Sequence, residues 1–284
     1  MTNDGILTSE FDDAGTIDAA VDTDVDAASE DELDEEFDEF DVTDIDEARR
    51  DDDEDDDDEV DLELVVLDMA GTTVTDDGLV EKAFVRAADE AGIGDSVEER
   101  ESALQYVRDT MGQSKIAVFR SLTGDEDQAQ HANAVFESAY AEFVERDGAT
   151  AVPGAEDVIG LLRDAGVKVA LTTGFSPATT RAIIASLGWE DLVDVVLSPA
   201  DAGRGRPYPD LPLTALLRTG ATSVESMVVV GDTASDIASG IAAGAGLVIG
   251  VLTGAHDEAT LSDAGADAVI GSIAELPALL GFDD

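Results

Sequence analysis

The chain has 284 residues, 44% of them hydrophobic, which is enough for one large domain or two small ones with a real core. Its formal net charge of -52 excludes nucleic acid and an anionic membrane surface as partners, because both would repel it. The absence of cysteine excludes disulfides, thiolate nucleophiles and thiolate metal sites.

Residues 1 to 61 hold 30 acidic and 2 basic side chains, and the rest of the chain holds 37 against 13. Residues 1–60, which close on DDDEDDDDE, carry too few large apolar side chains to offset chain entropy and are expected to form a disordered acidic tail. The first residues, MTNDGILTSEFDD, lack the basic and apolar regions of a leader, and no apolar run reaches spanning length. A cytoplasmic protein is the expectation. Lysine is rare, at Lys82, Lys115 and Lys168 against 12 arginines. An acidic, lysine-poor surface suits a halophile's cytosol, where the Debye length falls to roughly 3 Å and self-repulsion is screened.

Order is predicted to begin at Leu62–Leu67, a β-branched apolar run of the kind that becomes a buried parallel strand. Comparable runs start at Val167, Asp194, Met227, Leu247 and Asp267, separated by helical patterns such as EDVIGLLRDAG, PATTRAIIASLGW, DLPLTALLRTG and SDIASGIAAGAG. This alternation predicts an α/β fold, a doubly wound parallel sheet with a Rossmann-like core, over residues 61–76 and 152–284. Residues 77–151 show only helical patterns and read as an inserted all-helical cap above the carboxyl edge of the sheet, where ligands of such folds bind.

Four segments fall at or beyond strand ends, or on the loops between strands. LDMAGTT supplies Asp68, and LTTG supplies Thr172, Thr173 and Gly174, a hydroxyl and amide setting suited to phosphate oxygens. GRGRPYPD offers Arg204 and Arg206, and VVVGDTASD sets Asp232 and Asp236 one helical turn apart. Singly, each segment reads equally well as a cap or a turn. Together they describe a Mg²⁺ and phosphoryl site, because oxygen ligands suit that hard cation.

In this order, LDMAGTT, LTTG, GRPYPD and GDTASD resemble the motifs of the haloacid dehalogenase superfamily over roughly residues 62 to 282. The Asp-x-Ala-Gly-Thr-Thr form, the arginine in GRPYP, and Met111-Gly112-Gln113-Ser114-Lys115 are similar to the phosphonoacetaldehyde hydrolase group, the phosphonatases. That resemblance explains Ala70, which stands where related phosphatases carry a second aspartate to protonate a leaving alcohol. In a phosphonatase the leaving group is carbon.

The resemblance implies a small phosphonate or phosphorylated substrate, with Asp68 as nucleophile and Lys115 as the amine that forms an imine with the substrate aldehyde. It also implies Mg²⁺ held by Asp68, the carbonyl of Ala70 and Asp232, supported by Asp236, with Thr173, Gly174 and Arg206 on the phosphonate oxygens. A homodimer through the caps would follow from the same likeness. One position departs from the pattern. Val118 stands three residues after Lys115, where phosphonatases carry a histidine. His131 and His256 read as surface residues, and Phe136, Tyr140 and Phe143 read as packing on a cap helix. The alternative activity is a Mg²⁺-dependent phosphomonoesterase acting on a small phosphorylated metabolite.

Overall fold

The computed structural model describes residues 61–94 and 96–282. The tail expected over residues 1–60 lies outside the described residues. Six strands form one sheet: β1 (Leu64–Asp68), β2 (Lys168–Thr172), β3 (Val195–Leu197), β4 (Met227–Gly231), β5 (Leu247–Val251) and β6 (Ala268–Ile270). Their order is β3-β2-β1-β4-β5-β6 and every pairing is parallel. The chain builds outward from β1 through β2 to β3 and then returns to lay β4 on the other side of β1. The reversal opens a crevice at the carboxyl ends of β1 and β4, where open α/β sheets take their ligands.

Alternation along each strand divides the core between the two faces. Val65, Leu67, Val169, Leu171, Val228 and Val230 join one apolar cluster, and Leu64, Val66, Ala170, Met227 and Val229 join another. Both faces of the central strands are dry, which is why those strands read as continuous apolar runs.

The helices in chain order are α1 (Leu79–Ala91), α2 (Val97–Asp109), α3 (Lys115–Thr123), α4 (Glu126–Asp147), α5 (Ala155–Asp164), α6 (Pro177–Leu187), α7 (Pro199–Ala202), α8 (Asp210–Thr219), α9 (Ala234–Ala243), α10 (Glu258–Asp263) and α11 (Leu276–Leu279). Helices α7, α10 and α11, and a 3₁₀ turn at Ile273–Glu275, are absent from the sequence expectation. All are two turns or shorter, too short for a helical period to stand out.

Four helices, α1 to α4, follow β1 directly. Small residues let α1 and α4 approach closely, with Ala83, Ala87, Ala129, Ala132 and Ala139 all buried in one apolar cluster. Phe84, Phe119, Phe136 and Tyr140 form a chain of ring contacts at centroid spacings of 5.7, 6.0 and 6.1 Å. The chain continues onto Phe175 beyond β2, 4.5 Å from Tyr140. This aromatic series ties the helical layer to the loop that follows β2. Phe136 and Tyr140 are therefore packing residues, as their spacing suggested, while Phe143 is half-buried beneath Arg146.

A second tie is polar. The Glu137 carboxylate on α4 accepts from the Ser176 N–H and hydroxyl and from the Thr179 hydroxyl at the start of α6. It occupies the end of α6 where helix dipole and unpaired amides favour an anion. Among the described residues, no helix is long and apolar enough to cross a membrane.

Candidate active site

Asp68 closes β1, and Asp232 and Asp236 flank the turn from β4 into α9. All three carboxylates are buried, and one oxygen from each lies within 4.8 Å of the others. Local chemistry fixes α9: Thr233 is its N-cap, accepting from the Asp236 N–H, while the Asp236 carboxylate accepts from the Thr233 N–H at 3.1 Å and from the Thr233 hydroxyl. This reciprocal box holds Asp236 facing Asp68.

Arg206 is the cation at the centre. It is 5% exposed; its Nη2 lies 2.6 Å from Asp68 Oδ1 and its Nε 2.7 Å from Asp236 Oδ1. The same guanidinium donates to Thr172 Oγ1 at 2.8 Å and to the Gly112 carbonyl at 3.2 Å. Arg204 does not converge on the site. It is exposed, pairs with Asp210 and stacks on the Tyr208 ring.

One guanidinium against three carboxylates leaves the cluster short of positive charge. Burial raises Asp68 well above the usual carboxylate range, against the pull of Arg206 and with Asp236 and Asp232 adding to the rise. Burial, with Asp236 beside it, pushes Asp232 up to about 7. A hard divalent cation fits this donor set, since it would supply the missing charge and takes carboxylate and carbonyl oxygens. Asp232 is itself anchored, with Oδ2 accepting from Ala255 N–H at 2.7 Å. Gly71 turns with φ +95° next to it, and a side chain there would fall on that carboxylate.

A cavity of about 620 Å³ opens above the cluster. Asp68, Ala70, Thr173, Gly174, Arg206 and Asp232 line its floor, and Lys115 lines it from the helical layer. The amides of Ala70 and Gly174 have no hydrogen-bond partner among the described residues, so both are free for an anion. The Thr173 amide, expected to be free, is used by the Leu197 carbonyl, and the Thr173 hydroxyl accepts from Phe175 N–H.

Lys115 is 8% exposed at the first position of α3, its Nζ 5.6 Å from the centre of the Phe175 ring. Burial lowers its ammonium below the usual lysine range, while the carboxylates of Asp76 and Asp68 pull the other way. The loop before it presses against the core. Gly112 has φ +81°, and a Cβ there would lie 2.6 Å from Thr233 Oγ1; a side chain on Gly174 would meet the Gln113 carbonyl. The Met111–Lys115 segment thus lies against the core so closely that neither Gly112 nor Gly174 has room for a side chain.

Val118 does not face the cavity. It is buried in a small, mostly apolar pocket with Val80, Phe84, Val107, Phe119 and Phe136, which Thr110 and Lys115 also line, a setting where a charged imidazole would be costly. His131 is exposed as expected, but His256 corrects the surface reading. It is half-buried and lines the cavity, with Nδ1 accepting from Ala234 N–H at 2.9 Å. That bond assigns the proton of the neutral ring to Nε2.

Asp76, which sequence reasoning passed over, also lines the cavity. It sits in TDDG, a string that signals a turn, and only the tertiary fold brings it to Lys115. Its Oδ1 accepts from Val80 N–H at 3.2 Å. Burial raises it above the usual carboxylate range, while Val80 and Lys115 pull it down.

Comparison with known proteins bears on the family and the fold. A family model described as haloacid dehalogenase-like hydrolase matches residues 62–244. The chain is 30% identical over 216 residues to a phosphonoacetaldehyde hydrolase of Bacillus cereus (strain B4264), covering 69% of this chain and 78% of that protein. A solved hydrolase from Pseudomonas syringae is similar with TM-score 0.68 at 22% identity, over 78% of this chain and 98% of the other. A phosphonoacetaldehyde hydrolase like protein from Oleispira antarctica is similar with TM-score 0.66 at 24% identity, over 78% and 92%. At those identities the two structures speak for the fold.

Proposed function

Because the chain belongs to the haloacid dehalogenase-like hydrolases, we propose that it cleaves the carbon–phosphorus bond of phosphonoacetaldehyde or a related carbonyl phosphonate, releasing the aldehyde or ketone and phosphate. The observation that carries this reading is Lys115. In a chain with three lysines, this one is buried and lines the same cavity as Asp68.

The Lys115 amine condenses with the substrate carbonyl, giving an iminium that accepts electrons. Asp68 then attacks phosphorus. The carbon–phosphorus pair moves into the iminium, leaving an enamine on Lys115 and an acyl phosphate on Asp68. Water hydrolyses both, and the enamine carbon takes a proton before release. Asp68 Oδ1 is tied to Arg206, so Oδ2 is the attacking oxygen. Arg206 and the free amides of Ala70 and Gly174 stabilise the phosphoryl oxygens as charge shifts onto them. Residues 77–151 act as the cap that delivers Lys115 and excludes water. Ala70 needs no carboxyl group, because no alcohol has to be protonated.

Mg²⁺ would be held by Asp68, the Ala70 carbonyl and Asp232 with Asp236 alongside, and when bound it supplies Lewis-acid stabilisation of the transferring phosphoryl group. Its affinity is expected to fall between pH 8 and pH 6, because Asp232, pushed up to about 7, must shed a proton to become a ligand. Calorimetric titration with Mg²⁺ in two buffers of different ionisation enthalpy measures the released proton directly. Heats independent of the buffer would contradict the assignment.

The function is tested with phosphonoacetaldehyde and Mg²⁺ in concentrated KCl, quenched with borohydride and mapped by peptide mass. A reduced adduct on Lys115 is expected, with phosphate and acetaldehyde in the unquenched control. Lys115→Arg should lose at least about 10⁴-fold in turnover, on the scale seen when a member of a covalent catalytic unit is removed. Turnover of phosphonoacetaldehyde retained by that variant would overturn the imine mechanism, and hydrolysis of a phosphate monoester that the variant leaves unchanged would favour the esterase reading.

A further inference from the structure

We propose that Asp76 carries protons between the Lys115 amine and the substrate carbonyl while the imine forms and breaks down, a role that rests on the imine reading above. Imine formation moves two protons from nitrogen to oxygen and needs a group that reaches both. Val118 is apolar and packed away from the cavity. Asp68 is committed to phosphorus and Arg206, while Asp232 and Asp236 belong to the charged cluster. His256 stands beside Asp232, bonded to the Ala234 amide. Of the other carboxylates that line the cavity, Asp77 and Asp109 are exposed and Glu81 is paired with Arg108, which leaves Asp76 to serve Lys115.

Its position is fixed rather than incidental. The carboxylate is anchored by the Val80 amide at the start of α1, and its own carbonyl accepts from Leu79 N–H at 2.8 Å. Among the charged groups acting on Lys115, Asp76 is the strongest, ahead of Asp68. The charges acting on Asp76 are those of Lys115 from α3 and Asp77 in its own loop; Tyr140 of α4 feels Asp76 in turn, and Glu81 of α1 and Arg108 of α2, which line the same cavity, are paired with each other. Tyr140 is raised far out of range by burial and stays neutral, so the exchange partner is Lys115. Burial raises Asp76 and lowers Lys115, which narrows the gap that a proton must cross between them.

The step balances without any other reagent. The Asp76 carboxylate takes one proton from the Lys115 ammonium, and the free amine adds to the carbonyl carbon, making a nitrogen–carbon bond. A second nitrogen proton moves to the alkoxide. Asp76 then returns its proton to the resulting hydroxyl, the carbon–oxygen bond breaks, water leaves, and the nitrogen lone pair closes the iminium. Hydrolysis after carbon–phosphorus cleavage runs the same transfers in reverse.

The test is rapid-quench trapping by borohydride of the Lys115 adduct with phosphonoacetaldehyde and Mg²⁺, comparing wild type, Asp76→Asn and Asp76→Glu across pH. Asp76→Asn should slow adduct formation about 10²-fold, the lower range for general acid–base catalysis, and erase the rise in rate with pH that Asp76 ionisation produces. Asp76→Glu should restore part of the rate with that rise displaced. Thermal unfolding checks that the variants are folded, and if the asparagine variant is not, the displaced profile of the glutamate variant decides. Adduct formation in Asp76→Asn at the wild-type rate and profile, or an undisplaced profile in Asp76→Glu, overturns the proposal while leaving the imine in place. No Lys115 adduct in wild type overturns the imine and Asp76 with it.

Discussion

Asp68→Asn is expected to abolish phosphate release by about 10⁵-fold or more, within the range found on deleting a catalytic nucleophile, and to leave the fold intact. The amide keeps the shape of the carboxylate but cannot form an acyl phosphate. Stability should hold or rise slightly. Asp68 is buried beside two like charges, and burial already pushes it towards its neutral form. Removing its charge forfeits one bond to Arg206, yet Arg206 keeps Asp236 at 2.7 Å as an ion-pair partner. Phosphate release and a thermal melt measured on the same preparation separate the two effects. Substantial activity in a folded Asp68→Asn protein would rule out covalent catalysis at this residue.

The same site shows why some of it was legible in the sequence and some was not. All six strands could be read because each is written in apolar residues, the central ones being buried on both faces. Asp68, Thr173, Arg206, Asp232 and Asp236 were legible because each stands in a short motif whose neighbours do local work, such as the Thr233 and Asp236 box. Lys115 was legible through its rarity and the segment before it. Asp76, Glu137 and His256 carry no such local mark. Asp76 in TDDG and His256 in TGAHDE sit in loops whose composition says only that the chain turns, and Glu137 is one polar residue on a long amphipathic helix. What makes each matter is a partner far along the chain: Lys115, Ser176 and the Ala234 amide. The different fates of Arg204 and Arg206, both offered by one loop, have the same origin. Two residues before Arg206 in one loop, it is turned outward by Asp210 and Tyr208.

Arg206→Met is expected to destabilise the protein by about 3–5 kcal/mol, the usual scale for breaking a buried ion pair from one side. Arg206 compensates two of three buried carboxylates and also bonds Thr172 and Gly112. Without it, the remaining charges can escape only by taking up protons. An aspartate whose folded pKa is raised destabilises the fold above that pKa, and the penalty fades as pH falls towards its unfolded value of about 4. The difference between variant and wild type should therefore be largest near pH 8 and shrink towards pH 5. Added Mg²⁺ should stabilise the variant through its preference for the folded cluster, because a bound cation restores the missing charge. The double variant Asp68→Asn, Arg206→Met should lose less than the sum of the single changes, since one carboxylate no longer needs a partner. Denaturant unfolding in concentrated KCl at several pH values measures all three effects. A stability loss that stays constant with pH and indifferent to Mg²⁺ would mean that Arg206 acts through packing, and that charge balance does not hold this cluster together.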